Sequence, residues 1–92
     1  MFTVIAYDVA DDHRRTRICA FLADYGTRVN YSVFECELDR DEFAQVVARL
    51  AELIDDRKDR IVLYRLCESC RVKRSVIGQV SEGKVEKGIV VI

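Results

Sequence analysis

A single aspartate, Asp8, ends a run of apolar residues near the start of the chain and has the clearest chemical use. A carboxylate at the end of a buried strand emerges at the edge of a sheet, where it can bind a divalent cation with water and a substrate phosphate. The alternatives are that Asp8 caps the next helix or pairs with an arginine. Because Mg²⁺ usually has one or two carboxylate ligands, a site built on Asp8 needs Asp11, Asp12 or a second copy of Asp8 across a dimer axis.

Arginines follow Asp8 closely in the sequence. Arg14, Arg15 and Arg17 lie in the first turns of the next predicted helix, and Arg28 opens the strand after it. A guanidinium can donate two parallel hydrogen bonds to a phosphate, although a surface arginine is more often part of a solvated face. Three cations near a helix N-terminus oppose the helix dipole, so their positions indicate an anion nearby.

Cysteines and the only histidine offer weaker signals. Cys67-Glu-Ser-Cys70 has the spacing of half a zinc site or of a redox pair, but Cys19 and Cys36 have no metal-ligand spacing around them. The favoured interpretation is a pair of reduced, small, partly buried thiols that close a strand. His13 could act as an acid or base, whereas an exposed histidine beside a helix cap is usually polar surface.

Hydrophobic periodicity predicts the elements that position Asp8. Residues 2–8 are apolar on both faces, as in a central strand. Asp11 or Asp12 is expected to cap a helix that runs to Tyr25, with Gly26 as the residue after its C-terminus. The first strand and helix therefore place the carboxylate and the arginines beside each other.

The middle of the chain predicts a strand region and a second helix. Between Thr27 and Leu38 the alternation changes phase near residues 32–34, which indicates one bulged strand or two short strands joined by a sharp reversal. Asp39 opens the helix, with Glu42 at the spacing of a capping box. The predicted buried stripe of this helix consists of Phe43, Val46, Val47, Leu50 and Ile54.

The last third of the chain predicts two more strands. An acidic run at residues 55–59 ends the helix, residues 60–66 form a strand, and basic residues 71–74 lie in a loop or short helical turn. The aliphatic residues 89–92 are expected to form a last strand on this sheet or on that of a partner. The order βαββαβ plus a C-terminal strand predicts an α+β ferredoxin-like sandwich, an antiparallel sheet with two helices on one face.

Composition limits the classes of function. The 92 residues, half of them hydrophobic, suffice for one domain spanning residues 1–92. The net charge of −1 hides segregation, since residues 13–28 and 60–74 carry +3 and +4 whereas residues 1–12 and 35–59 carry −3 and −5. This pattern predicts a basic surface and an acidic helix face if the fold gathers the basic segments. An N-terminus without signal-peptide features, and no membrane-length apolar run, predict a cytoplasmic protein without a membrane partner.

These motifs together resemble the small CRISPR-associated endoribonuclease family of the spacer-acquisition (adaptation) machinery. The resemblance covers nearly the whole chain and rests above all on Tyr31-Ser32-Val33-Phe34-Glu35. Tyr7-Asp8-Val9, residues 11–17 and residues 25–29 add to it. Cys67 to Cys70 is similar to a variant seen in part of the family.

The family resemblance implies a homodimer that associates through its sheet. Mg²⁺ would lie between the two copies of Asp8, which is both the catalytic residue and the metal ligand, and a C-terminal strand at about residues 88–92 would be exchanged with the partner protomer. The positions implied in binding or supporting nucleic acid are Tyr7, Arg15, Arg17, Arg28 and Phe34.

The resemblance also implies a function in antiviral defence. The expected activity is Mg²⁺-dependent hydrolysis of single-stranded RNA or duplex DNA, together with a bridging role between subunits of the spacer integrase. The alternative is a non-catalytic nucleic-acid-binding scaffold for the integrase. Because no basic motif is interleaved with aromatic residues, phosphate contacts with little base readout are expected in either case. A module that binds no nucleic acid is disfavoured by the motif match.

Overall fold

The computed structural model describes residues 1–73, 75–78 and 88–91. Within these ranges, no helix is long and apolar enough to cross a membrane. The elements, in chain order, are β1 (Phe2–Asp8), α1 (Asp12–Leu22), β2 (Gly26–Asn30), β3 (Val33–Glu37), α2 (Arg40–Leu53), β4 (Arg60–Leu66), α3 (Glu68–Arg71), β5 (Ser75–Gly78) and β6 (Gly88–Val91).

The first four strands form one antiparallel sheet in the order β2-β3-β1-β4. One face of the sheet packs on α1 and α2, and the core between them joins Ile5 of β1 to Ile18 of α1 and Val46 of α2, all fully buried. This arrangement confirms the predicted α+β ferredoxin-like sandwich. It also places β1, and therefore Asp8, at the centre of the sheet.

The first helix begins where the sequence predicts and ends earlier. Asp11 is its N-cap and accepts a hydrogen bond from the backbone N–H of Arg14 at 2.8 Å. The helix ends at Leu22, so the prediction that it extends to Tyr25 with Gly26 behind its C-terminus is wrong. Gly26 instead starts β2, where a Cβ atom would lie 2.3 Å from the carbonyl oxygen of Glu35. The glycine allows β2 to approach β3 closely.

Two short strands, rather than one long strand, account for the phase change in the middle of the chain. β2 and β3 pair with a register irregularity between Arg28 and Asn30, and a two-residue turn separates them. The predicted capping box of the next helix is confirmed, since Asp39 and Glu42 exchange side-chain and backbone hydrogen bonds. Val47, predicted to be buried, is 38% exposed because it lies at the margin of the packed stripe.

The C-terminal strand pairs within the chain. β6 confirms that a strand forms here, but the expectation that it could join the four-stranded sheet is wrong. It pairs antiparallel with β5, an element that the sequence did not predict, in a separate two-stranded sheet. The exchange of residues 88–92 with a partner protomer stays a prediction. Arg74 and Ile92 lie outside the described residues.

The sheet has a second face, opposite the helices, that carries apolar side chains. Strand pairing places Val4 opposite Tyr64, and Ala6 opposite both Val33 and Val62. We call these five residues the open face. None of them is buried, and Tyr64 is 56% exposed.

Candidate functional site

Asp8 is the exposed last residue of the central strand β1. Alternation along β1 places it on the same side of the sheet as Val4 and Ala6 of the open face. Throughout the part of the chain that the structure describes, no group forms a hydrogen bond or ion pair with its carboxylate. The helix cap is Asp11, so the alternative capping role of Asp8 is excluded.

Arg60 is the residue directly across the sheet from Asp8. Antiparallel pairing of β1 with β4 sets the two opposite each other, and residues so paired project from the same face. Arg60 is exposed. The sequence did not single it out, because its proximity to Asp8 depends on the register between strands that are far apart in the chain.

The turn between β2 and β3, residues 31–32, forms several contacts with the candidate site, and we call it the Tyr31 turn. The Tyr7 hydroxyl donates to the carbonyl oxygen of Tyr31 at 3.5 Å, and Arg28 Nη2 donates to the same oxygen at 3.0 Å. The backbone N–H of Tyr7 also donates to the carbonyl oxygen of Ser32 at 3.0 Å. These contacts fix the turn beside the end of β1.

The ring of Tyr31 brings two of the predicted arginines together. The guanidinium carbons of Arg15 and Arg28 lie 5.8 Å and 5.3 Å from the ring centroid, within the range of cation–π attraction. Tyr31 is 64% exposed. It was quoted in the sequence motif but not predicted as a site residue, since its link to both arginines appears only in three dimensions.

Arg15 holds the loop that follows Asp8. Its Nη1 donates to the carbonyl oxygens of Val9 at 2.9 Å and Ala10 at 3.2 Å, and its Nη2 bonds to Asp12. The bond to Asp12 is the main reason that the pKa of Arg15 is raised. Arg15 therefore positions the backbone beside Asp8, and its donors are largely used within the protein.

Tyr7 and Phe34 support the site from inside the core. Both are buried, on the helix-covered side of the sheet, with ring centroids 6.4 Å apart. Burial, and then the neighbouring Cys19, raises the pKa of Tyr7 to about 12. Tyr7 is therefore neutral at physiological pH and acts here as a hydrogen-bond donor to the Tyr31 turn.

The other two arginines of α1 differ in their surroundings. Arg14 Nε pairs with Asp59 at 2.7 Å, and the Asp59 side chain is 1% exposed. The hydrogen bond from Arg14, joined by one from the backbone N–H of Asp55, lowers the pKa of Asp59. The clustered arginines of α1 were expected to have an anion nearby. Asp59 of the same protein is one such anion. Arg17 is exposed and has no bonded partner among the described residues.

The carboxylates of one protomer do not form a metal cage. Across residues 1–73, 75–78 and 88–91, no three His, Cys, Asp or Glu side chains are grouped so that they could hold a metal ion. A single protomer therefore offers Asp8 as an isolated oxygen ligand at this edge of the sheet.

The cysteines differ from their predicted burial. Cys67 and Cys70 are exposed, so the prediction that they are partly buried is wrong. Cys67 is the N-cap of the short helix α3 and Cys70 lies within that helix, and their sulfurs are 3.5 Å apart. Cys36 is the buried cysteine, and burial raises its pKa to about 11.

Residues 1–74 match a protein-family model described as "CRISPR associated protein Cas2". The chain belongs to the Cas2 family. This confirms the resemblance seen in the motifs around Asp8 and Phe34. The family match includes the whole four-stranded sheet, the Tyr31 turn and both cysteines of α3, and it stops before β5.

Named members of the Cas2 family are similar over most or all of the chain. A "CRISPR-associated endoribonuclease Cas2 1" of Chloroflexus aurantiacus is 41% identical over 100% of both chains. A second protein of that organism, "CRISPR-associated endoribonuclease Cas2 3", is 48% identical over 84% of this chain and 82% of its own. The crystal structure of Streptococcus pyogenes Cas2 at pH 6.5 superimposes with a TM-score of 0.77 at 31% identity, covering 85% of this chain and 100% of that one. The similarity in sequence and the similarity in structure therefore point to the same family.

Proposed function

We propose that this protein is a cytoplasmic, Mg²⁺-dependent endonuclease of antiviral defence that hydrolyses single-stranded RNA, or duplex DNA, as a homodimer. The observation that carries the proposal is Asp8, an exposed carboxylate with no bonded partner among the described residues, at the end of the central strand. The relatives named above as endoribonucleases support RNA as substrate. In the same dimer, the protein bridges subunits of the spacer integrase.

The open face supports dimerisation through the sheet. Its apolar side chains form a continuous patch across three strands, and such patches on soluble proteins are commonly covered by a partner. Asp8 lies in the same row of β1 as Val4 and Ala6. A second copy packed on this row, with a two-fold axis near the end of β1, brings the two Asp8 residues to a shared edge.

The donor set at this edge fits Mg²⁺ as half of a shared site. A carboxylate oxygen is a hard ligand of the type that Mg²⁺ prefers, and two copies of Asp8 supply the usual one or two carboxylates. When bound, Mg²⁺ neutralises charge on phosphate oxygens and increases the acidity of water. The isolation of Asp8 within one protomer agrees with a site that only the dimer completes.

The remaining side chains position the backbone and the substrate. Arg15 holds the loop after Asp8, and Arg28 holds the Tyr31 turn, so both orient the edge of the sheet. Arg17 and Arg60 are exposed and provide positive charge for phosphates. Binding through these groups reads the phosphate backbone, with little base specificity.

A scaffold function for the integrase is the alternative proposal. Arg14, Arg15 and Arg28 donate hydrogen bonds within the protein, so the exposed Arg17 and Arg60 would supply the positive charge for a duplex. A protein that supports a duplex for the integrase needs positive charge on its surface but no metal. The two functions therefore differ in their dependence on Asp8.

Cleavage assays with Asp8→Asn separate the two functions. The full-length protein is incubated with single-stranded RNA and with duplex DNA, in Mg²⁺ and in chelator. We expect the wild type to cleave only with Mg²⁺, and Asp8→Asn to lose at least about 100-fold in rate, as when a group that stabilises developing charge is removed. Asp24→Asn, which alters an exposed aspartate beyond α1, is the matched control. Equal cleavage by Asp8→Asn and wild type contradicts the nuclease proposal. If the wild type itself binds nucleic acid but does not cleave it in Mg²⁺, the scaffold is supported instead.

A further inference from the structure

The pair Cys67 and Cys70 lies outside the site built around Asp8. Both cysteines are exposed, and their sulfurs are 3.5 Å apart. The backbone between them already forms a turn, because the N–H groups of Cys70 and Arg71 donate to the carbonyl oxygen of Cys67 at 3.1 Å and 3.0 Å. A disulfide bond is about 2.05 Å long, so the sulfurs need to approach by only about 1.5 Å.

The turn that carries the two thiols is anchored to the sheet. Arg71, which follows Cys70, lies with its guanidinium 5.3 Å from the ring centroid of Phe2 and pairs with Glu37 at 3.3 Å. It also bonds to Glu68 within α3. These contacts hold α3 at the end of the sheet, so the thiols are presented from a fixed turn.

The two thiols have different chemical characters. Hydrogen bonds from the Ser69 hydroxyl and then from the backbone N–H of Cys70 lower the pKa of Cys67 to about 7. The hydrogen bond with Cys67, and its charge, raise the pKa of Cys70. Cys67 is therefore substantially thiolate at neutral pH, and the thiolate is the form that attacks disulfides.

A metal site is less well supported than redox chemistry at this pair. Tetrahedral zinc sites need four ligands, or three with an open position. In the described ranges no third His, Cys, Asp or Glu joins the two sulfurs in a metal-binding group. A pair of exposed sulfurs in near contact, with one activated thiol, is the arrangement of a dithiol that oxidises to a disulfide.

We propose that Cys67 and Cys70 are a reversible dithiol–disulfide couple that reacts with low-molecular-weight disulfides. The Cys67 thiolate attacks one sulfur of the disulfide, forms a mixed disulfide and releases one small thiolate. The Cys70 thiol then loses its proton to solvent, and its sulfur attacks Cys67, closing the Cys67–Cys70 bond and releasing the second small thiolate. Two protein thiols are oxidised, and one external disulfide is reduced to two thiols. The couple is independent of the proposed nuclease and scaffold functions.

Oxidised glutathione is the probe for this reaction. The reduced protein is first treated with a chelator and then incubated with oxidised glutathione at neutral pH. Intact mass spectrometry and peptide mapping identify the products. We expect the loss of two hydrogens, a Cys67–Cys70 disulfide as first product, and unmodified Cys19 and Cys36, with full reversal by dithiothreitol. Two results would overturn the proposal. One is that Cys19 or Cys36 reacts while Cys67 and Cys70 remain free thiols. The other is that Cys67 and Cys70 each carry a stable glutathione adduct and form no disulfide with each other.

Single-cysteine variants test the two assigned roles. Cys70→Ser should accumulate one glutathione on Cys67, because the resolving thiol is gone. Cys67→Ser should react more slowly than Cys70→Ser, because Cys67 keeps its hydrogen bonds from the Ser69 hydroxyl and from the backbone N–H of residue 70 when Cys70 becomes serine. Ser69→Ala should slow the reaction of Cys67, because it removes the 3.2 Å contact to its sulfur. Equal rates for the two single-cysteine variants contradict the assignment of Cys67 as the attacking thiol.

Discussion

Arg15 Nη1 donates a hydrogen bond to the carbonyl oxygen of Val9 at 2.9 Å, one residue beyond Asp8. A second bond from the same nitrogen reaches Ala10. This geometry makes Arg15 a positioning residue for the loop after Asp8. The clustered arginines of α1 thus differ in function, although they share a charge and lie close together in the sequence.

Arg15→Lys should separate positioning from phosphate binding. Lysine keeps the charge but lacks the planar fork, so the loop after Asp8 is held less firmly. We expect kcat for RNA cleavage to fall about tenfold, because small displacements of a reacting group are costly, while KM and the salt dependence of RNA binding change little. Steady-state kinetics at several salt concentrations measure both. A lysine variant with wild-type kcat contradicts the positioning role.

Arg17→Gln should weaken nucleic-acid binding without affecting the loop. Arg17 is exposed, and a lost phosphate contact reduces the slope of log K against log salt by about 0.7 for single strands and about 0.9 for duplex DNA. Fluorescence anisotropy over a range of salt concentrations gives this slope. Arg49→Gln is the control, since Arg49 lies on α2 and pairs with Glu52. The same slope for Arg17→Gln and wild type excludes Arg17 from the interface.

Asp59→Asn should destabilise the protein in a pH-dependent way. The ion pair with Arg14 lowers the pKa of Asp59, so its stabilisation is present above the unfolded pKa of about 4 and is lost as the pH falls through the lower folded value. We therefore expect thermal unfolding midpoints of variant and wild type to differ by several degrees near neutral pH and to converge in acid. Asp56→Asn, in the same loop but exposed, is the control. If the difference between the two unfolding midpoints grows as the pH falls, the stabilising role of the ionised Asp59 is contradicted.

Val62→Glu should prevent the proposed dimer. Val62 lies on the open face, and packing two copies there would bury two unpaired carboxylates, which costs several kcal/mol. Analytical ultracentrifugation should show a dimer for the wild type and a monomer for the variant, with at least about 100-fold weaker association. Val47→Glu, on the helix side of the protein, should remain dimeric. Dimerisation of Val62→Glu at the wild-type concentration rules out the sheet interface.

Local sequence signals predicted the elements that carry the site. The apolar run of β1 and the capping box of Asp39 with Glu42 depend on neighbouring residues, and both are confirmed. Gly26 was assigned to a helix end because glycine is common there, whereas its actual role is a close approach to Glu35 on another strand. A contact across the sheet cannot be recognised from local spacing.

The same limit applies to the candidate site. Asp8 could be chosen from its place at the end of a strand. Tyr31 and Arg60 could not, because their proximity to the site depends on a turn and on strand register. The buried partner of Arg14 was missed for a similar reason, since Asp59 lies in an acidic run that predicts only solvent exposure.

Metal stoichiometry tests the central claim, that two copies of Asp8 share one divalent cation. Mn²⁺ is the probe, and isothermal titration calorimetry of the protein gives the number of ions bound for each chain. We predict one ion for every two chains, no binding to Asp8→Asn, and unchanged binding to Asp24→Asn. One ion for each chain, or unchanged binding to Asp8→Asn, would contradict the shared site.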